Sequence, residues 1–352
     1  MAVLHFNHVG ITAIAACVPK RVIKNLEYTQ YFPADAVAKV VEKTGIFERR
    51  FADEKTCSSD LCYAAAQRLF EDNKINPSEI DALIFITQTP DYRMPSNSLL
   101  LQDRLHLEKN TVAFDMTVGC SGFLYGLSMA YSILSQPNIK KVLILDGETR
   151  SKVYSPKDRK TAFLFGDAGV AVLAERDDKF GEAYISLNSD GSLSDAIKVK
   201  GGGYRHPSST ETLKEKVVDE YGNIRSDEQG YMDGETVFNF VSRTVPHDIK
   251  NLAEYTKIDL ADLDYYVFHQ SNKFMNSHLI KKLKIDPKKA PSTIEKFGNT
   301  SSVSLPLTIA SELKDKLGGQ HRLLLNAFGV GLTWGTGIIP FVDCKISDIV
   351  EI

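Results

Sequence analysis

The 352-residue sequence carries no surplus of charge of either sign: 42 Lys and Arg against 45 Asp and Glu leave a formal charge of −3. A chain so balanced has no general electrostatic footprint for nucleic acid, and no nucleic-acid partner is expected. It also lacks any run approaching the ~20 apolar residues that a membrane-spanning helix needs, so no membrane partner is expected. Its cysteines are few and unpaired in pattern. Cys17, Cys57, Cys62, Cys120 and Cys344 are odd in number, scattered, and show neither zinc-ligand nor C-x-x-C redox spacing. No disulfide framework is expected, and free thiols fit a reducing compartment. The apolar, small-residue segment 10–18 has something of a leader peptide, but no Lys or Arg precedes it and the run is short. A first buried strand is the expectation, and with it a cytoplasmic location.

What is present is globular. Hydrophobic residues make up 43% and charged residues 25%, enough for a large core, and the length suits two packed halves. Short apolar, β-rich runs at 81–87, 112–116, 141–146, 169–174, 264–269, 322–327 and 337–342 read as strands buried on both faces. Helical patterns at 58–73, 121–135, 237–254, 272–283 and 301–317 lie between them, so the chain is α/β with helices covering its sheets. The first half resembles the second. Val118-Gly119-Cys120-Ser121-Gly122 and Phe297-Gly298-Asn299-Thr300-Ser301 are each followed by a helix and then a strand. A duplicated βα unit divides the chain near residue 180, into halves 1–179 and 180–352. The polar stretch 186–230, with Gly201-Gly202-Gly203, has no clear P-loop pattern and reads as a flexible surface loop bordering a site.

Cys120 stands out by context. It follows a strand and a Gly turn and opens a helix that is apolar nearly all round, hence buried. Helix N-terminal amides favour a thiolate there and predict a thiol pKa below its free value. An inert core cysteine is the competing reading. His269 ends a strand and precedes Gln270, Ser271 and Asn272. Open α/β sheets place ligands at such strand ends, although a strand-end histidine bonded to backbone is equally ordinary. Asn299, in Gly298-Asn299-Thr300-Ser301, is either a site residue or part of a turn and helix cap. The segment Phe328-Gly329-Val330-Gly331-Leu332-Thr333-Trp334-Gly335 is glycine-rich between two strands. Glycine lets backbone come close, as an oxyanion-binding amide requires.

These motifs together resemble the β-ketoacyl-(acyl carrier protein) synthase III family: Cys120 in Val-Gly-Cys-Ser-Gly-Phe, His269 in His-Gln-Ser-Asn, Asn299 in Gly-Asn-Thr-Ser, and the glycine-rich ending. Phe165-Gly166-Asp167-Ala168-Gly169 and Lys43-Thr44-Gly45-Ile46 belong to the same resemblance, which covers nearly the whole chain in order. It implies a thiolase-like fold of two βαβαβαββ halves in five αβαβα layers, normally a homodimer. It implies an acyltransferase of fatty-acid initiation or a related pathway, working with an acyl carrier protein and a primer on coenzyme A or a carrier. No metal or other cofactor is implied. Cys120 would carry the acyl group, His269 and Asn299 would hold the enolate of a decarboxylated malonyl thioester, and the amides of Cys120 and Val330 would form the oxyanion hole. Substrate contacts are implied at Lys43, Met94, Arg159, Phe238, Asn272 and Gly329. Lys281, Lys282 and Lys284 are the basic patch for an acidic carrier, or a solvated helix face. The chain departs from the family where Lys39 and Lys43 stand in place of Trp and Arg, which removes a stacking surface for adenine. Met94 stands where a Phe reaching the partner's acyl pocket is common.

Other classes share parts of this pattern. The order Cys, His, Asn is also that of papain-like thiol hydrolases, but Cys120 lacks a following Trp and the glycine-rich ending has no role there. A thiolase would want a second cysteine in a Cys-Gly-Gly turn, which Cys344 is not in. A hydroxymethylglutaryl-coenzyme A synthase would want a Glu base, and ester-forming relatives keep much of the same constellation. A non-enzymatic subunit of the same fold would have no reason to keep all three residues.

Overall fold

The computed structural model describes residues 2–352. Nine strands carry the architecture. In the first half they are β1 (Val9–Val18), β2 (Ala82–Ile86), β3 (Val112–Met116), β4 (Lys141–Thr149) and β5 (Asp167–Arg176). In the second they are β6 (Ala183–Ser189), β7 (Tyr265–Phe268), β8 (Gln320–Gly329) and β9 (Thr333–Ile346). The first set is ordered β3-β2-β4-β5-β1, with β3, β2 and β4 parallel and the β4/β5 and β5/β1 pairs antiparallel. The second is ordered β7-β8-β9-β6, with β7/β8 parallel and the next two pairs antiparallel. The run β2-β4-β5-β1 therefore has its topological copy in β7-β8-β9-β6. The edge strand β3 has no copy among the described residues. The long β9 joins the two sets, pairing first with β6 and then with β1, the second pairing broken by a register shift between Phe341 and Lys345.

Alternation along the strands explains the layers. Successive side chains of a strand point to opposite faces, so a strand buried on both faces feeds two cores. In β2, Ala82, Ile84 and Ile86 enter one core while Leu83 and Phe85 enter another. In β8, Leu323, Leu325 and Ala327 enter the first core while Leu324 and Phe328 enter a third. The shared central core also holds Phe123, Leu124, Leu127 and Tyr131 of helix Gly122–Leu134 and Leu305, Leu307 and Ile309 of helix Ser304–Glu312. The second core is closed by helix Ser58–Asn73 and helix Asn97–Arg104. The third is closed by helix Gly234–Thr256 and helix Lys273–Leu283. In chain order these six helices are α1 (Ser58–Asn73), α2 (Asn97–Arg104), α3 (Gly122–Leu134), α4 (Gly234–Thr256), α5 (Lys273–Leu283) and α6 (Ser304–Glu312). The result is the thiolase-like arrangement: α1 and α2, a sheet, α3 and α6, a sheet, α4 and α5. Among the described residues, no helix is long and apolar enough to cross a membrane.

The central helices bring the two halves together at their N-termini. A Cβ placed on Gly122, the first residue of α3, would lie 2.8 Å from Ile86 Cγ2 and 3.3 Å from the Ser302 Cβ just ahead of α6. The stretch 186–230 is more structured than a plain loop. It starts within β6, forms two small antiparallel pairs and a four-residue helix capped by Ser209, and sends Ile197 into the site cavity.

Candidate active site

Cys120 occupies the turn ahead of α3 and is buried, with 7% of its surface exposed. His269 follows β7, with its amide donating to Asn326 O at 2.8 Å, and is buried too. Asn299 lies in the turn ahead of α6. Its amide donates to Leu164 O at 2.8 Å and its carbonyl accepts from Gly166 N at 3.1 Å, so the Phe165-Gly166 motif holds it in place. All three line one cavity of about 80 Å³, together with Gly329, Val330, Phe328 and Arg150.

Local hydrogen bonds set how each side chain faces that cavity. Asn299 Oδ1 accepts from Ser301 N at 2.9 Å, which leaves the Nδ2 amide as a donor. His269 Nδ1 contacts Ser304 Oγ at 2.8 Å, and the same hydroxyl oxygen accepts from Gln270 N at 3.4 Å. A Ser304 hydroxyl already accepting from an amide is free to donate to Nδ1, the tautomer that leaves Nε2–H as a donor. Burial holds His269 neutral by lowering its pKa to about 3, against a small opposing backbone hydrogen bond with Ser301. Ser301 joins the halves: its Oγ is 3.6 Å from Cys120 Sγ, and it adopts a φ of 57°, rare for a non-glycine residue.

The expectation of a lowered Cys120 pKa is not met. Burial pushes the thiol up, and the Arg150 charge and the Ser301 hydrogen bond offset that only in part, while Glu148 adds to the rise. Charging a sulfur sealed between two sheets costs more than the amides at the helix N-terminus return.

The glycine-rich ending meets Cys120 backbone to backbone. A Cβ on Gly329 would stand 2.6 Å from Cys120 Cβ, 3.0 Å from Sγ and 3.1 Å from the amide nitrogen. A Cβ on Gly119 would stand 2.8 Å from Val330 Cβ. Among the described residues, neither the Cys120 nor the Val330 amide donates to a backbone carbonyl. Both remain available to an oxyanion.

An outer cleft of about 670 Å³ opens onto this cavity and shares Leu164, Met232, Gly234, Asn272 and Met275 with it. Lys43, Arg159 and Phe238, expected to be substrate contacts, line the cleft. Asn272 does so as the N-cap of α5, its Oδ1 accepting from Met275 N at 2.8 Å. Met94 lines neither space and is 75% exposed. Lys281, Lys282 and Lys284 are exposed at the far end of α5, whereas Phe274 and Met275 at its start border the cleft. With 1.5 Å of rise per residue, that places the lysines roughly 10 Å or more from the mouth. Lys282 Nζ is bonded to Ser242 O at 2.6 Å. Sequence reasoning missed Ser301, Ser304, Arg150 and Tyr154. Arg150 and Tyr154 follow β4, and the strand-end logic applied to His269 would have flagged them. Among the described residues, no cluster of three His, Cys, Asp or Glu side chains is arranged to hold a metal ion.

Comparison with known proteins decides the family. Residues 114–191 match the family model for 3-oxoacyl-(acyl-carrier-protein) synthase III, and residues 253–341 match the model for its C-terminal part. The chain is 35% identical over 348 residues, 98% of its length and 97% of the relative's, to a Campylobacter jejuni protein provisionally named 3-oxoacyl-(acyl-carrier-protein) synthase 3. The chain belongs to the 3-oxoacyl-(acyl-carrier-protein) synthase III family. A β-ketoacyl-(acyl-carrier-protein) synthase III of Desulfitobacterium hafniense is 33% identical, with 95% of this chain and 98% of that one covered. The crystal structure of a 3-oxoacyl-(acyl-carrier protein) synthase from Burkholderia xenovorans superimposes with a TM-score of 0.93 at 34% identity, covering 100% of this chain and 99% of that one. Family membership makes the chain a condensing acyltransferase and removes the thiol hydrolase as a rival.

Proposed function

We propose that the chain joins an acyl primer to malonyl-(acyl carrier protein) by decarboxylative Claisen condensation, with the acyl group held as a thioester on Cys120. The carrying observation is that Cys120, His269 and Asn299, from three separate parts of the sequence, line one cavity.

In the first half-reaction Cys120 Sγ attacks the primer thioester, a new thioester forms, and the primer's thiolate departs. The buried thiol is protonated at rest, so its proton leaves during the transfer and ends on the departing sulfur. The amides of Cys120 and Val330 receive the tetrahedral oxyanion. In the second, malonyl thioester loses CO2 and becomes an enolate, whose carbon attacks the acyl group and expels the Cys120 thiolate. A solvent proton restores the thiol. The enolate oxygen needs donors that carry no negative charge, which suits a neutral imidazole Nε2–H and the Asn299 Nδ2 amide. The reading calls for no metal or redox cofactor, since every step is nucleophilic or a proton movement.

Lys43 and Arg159 at the cleft suit the phosphates of a carrier arm, and an acidic carrier protein is the partner that such cations favour. Lys281, Lys282 and Lys284 extend that field from a distance. A homodimer belongs to the same reading: among the described residues β3 is paired on one side only, and the segment before α2 exposes Met94. So does a division into halves 1–179 and 180–352, which falls between β5 and β6, and a cytoplasmic location, which suits five free cysteines. Incubation with a panel of acyl thioesters should add one acyl mass to Cys120 in the intact protein and none to Cys120→Ser. Acylation elsewhere, or an unlabelled Cys120 with every donor, would refute the reading.

A further inference from the structure

The acyl cavity has a cation in its wall. Arg150 lies just after β4, is 5% exposed, and lines the cavity with Cys120. Its planar guanidinium offers more N–H donors than it uses here. Nη1 donates to Gln88 Oε1 at 3.2 Å and Nη2 to Tyr154 Oη at 2.8 Å, both neutral acceptors. The buried Nε has no partner among the described residues.

No carboxylate among the described residues comes within ion-pair distance of Arg150. After Tyr154, the acidic group that acts on it most is the Glu148 carboxylate, whose oxygens accept from Gln88 N and Thr89 Oγ1, each at 3.0 Å. The guanidinium is held in place: Tyr154 and Phe165 stack at 4.0 Å, and Arg150 lies 5.2 and 5.6 Å from their ring centres. Leu164, Phe165, Val237, Met275 and Phe328 make most of the remaining wall apolar. Arg150's direct hydrogen bonds go only to neutral groups and Glu148 acts on it without a direct contact, so its unused N–H donors are open to a ligand oxygen. An alkyl chain on Cys120 would leave Arg150 facing hydrocarbon.

We propose that Arg150, steadied by Tyr154, selects an acyl primer bearing an oxygen acceptor on its chain, a hydroxyl or a carboxylate, over the alkyl primer of the same shape. The proposal rests on the acyl-Cys120 reading. A charge-assisted bond to such an oxygen is among the stronger neutral-pH contacts available. A site built to hydrogen-bond a substrate also rejects the analogue lacking that group more strongly than an apolar pocket rejects a change of one methyl.

The test uses shape-matched pairs, 3-hydroxybutyryl against 3-methylbutyryl and succinyl against 4-methylpentanoyl. Each is presented on coenzyme A and on an acyl carrier protein, with acylation of Cys120 followed by intact-protein mass spectrometry. In at least one pair the oxygen-bearing member should react faster by about tenfold or more. Which pair shows the preference tells hydroxyl from carboxylate. Arg150→Met should bring that pair to near equality, while Arg150→Lys keeps part of the preference. Tyr154→Phe, which preserves the ring stack, should also reduce it and serves if Arg150→Met does not fold. Thermal melting reports folding for each variant. Equal or faster reaction of the alkyl members overturns the proposal, as does a ratio unchanged in the variants. It is also overturned if Arg150→Met slows every primer alike while iodoacetamide reactivity of Cys120 falls in parallel, which would make Arg150 a thiolate-stabilising group. Failure of every primer to label Cys120 would instead sink the acyl-enzyme reading itself.

Discussion

Replacing Gly329 by alanine tests the closest contact in the site. The added methyl would sit 2.6 Å from Cys120 Cβ, 3.0 Å from Sγ and 3.1 Å from the amide nitrogen. Ordinary carbon–carbon contact is about 3.5–4.0 Å, so relief requires a movement of roughly 1 Å. Neither side yields easily. Gly329 closes the ladder between β8 and β9, opposite Thr333, and Cys120 leads into a helix whose inner face is fully buried. Overpacking of this kind costs about 1–3 kcal/mol of stability. A shift of about 1 Å in a nucleophile costs on the order of 100-fold in rate. The Gly329→Ala protein should therefore be about 1–3 kcal/mol less stable in urea unfolding. It should also acylate Cys120 about 100-fold more slowly with every primer, because the displaced atoms are the nucleophile and its own amide. Gly318→Ala is the control, since a Cβ there meets nothing within 4 Å. Stability and acylation both within twofold of the unaltered protein would show that the backbone approach does not set the nucleophile's position.

Two further outcomes follow from the geometry. His269→Ala and Asn299→Ala should each still form acyl-Cys120 but lose malonyl decarboxylation by roughly 150-fold, the rate equivalent of about 3 kcal/mol per donor. Release of CO2 from malonyl carrier checks this, and a variant that condenses at the normal rate removes that side chain from the enolate site. The second concerns acid stability. An unfolded His269 takes up a proton near pH 6.5, whereas the folded one stays neutral down to about 3. Between those values the unfolded state binds the extra proton, so this contribution to stability is complete above pH 6.5 and is lost as the pH falls toward 3. Between pH 7 and 5 the loss is about 2 kcal/mol. His269→Gln should be spared it in urea unfolding at the two pH values, and equal pH slopes for both proteins would mean the imidazole is not held neutral.

The strands legible in the sequence are short apolar runs set off by polar neighbours, whether or not their burial is complete. Ala82–Ile86 is buried at every position, whereas Val112–Met116, expected to be buried on both faces, is an edge strand with Val112 exposed and the rest half-buried. Ala183–Ser189 was missed for the opposite reason. Its Asn188 and Ser189 run straight into the polar stretch, and its strand character comes from pairing with β9. Of the helix expected over 301–317, Ser304–Glu312 forms; it starts late because Ser301, at a φ of 57°, turns to meet Cys120 Sγ and Asn299. In that case a local pattern favouring helix gives way to a contact made across 181 positions of chain.

The same division separates what was legible in the site from what was not. Cys120, His269 and Asn299 could be singled out because each sits at the end of a strand or the start of a buried helix, positions a sequence betrays. Their chemistry could not be read that way, because it depends on what closes around them. Cys120 was expected to be acidified by the helix that follows it, yet burial between two sheets acts more strongly and in the opposite direction. The duplication accounts for this. It sets α3 and α6 side by side in the central layer, so the residue ahead of each helix meets the other at the most enclosed place in the molecule. That enclosure keeps His269 neutral, with one ring N–H still able to donate, and keeps the Cys120 thiol protonated. It also leaves Arg150 as the cation nearest in effect to the sulfur, with a donor to spare. Nucleophile, enolate donors and proposed primer selectivity thus share one cause: the burial produced when two copies of a βα unit pack their central helices together.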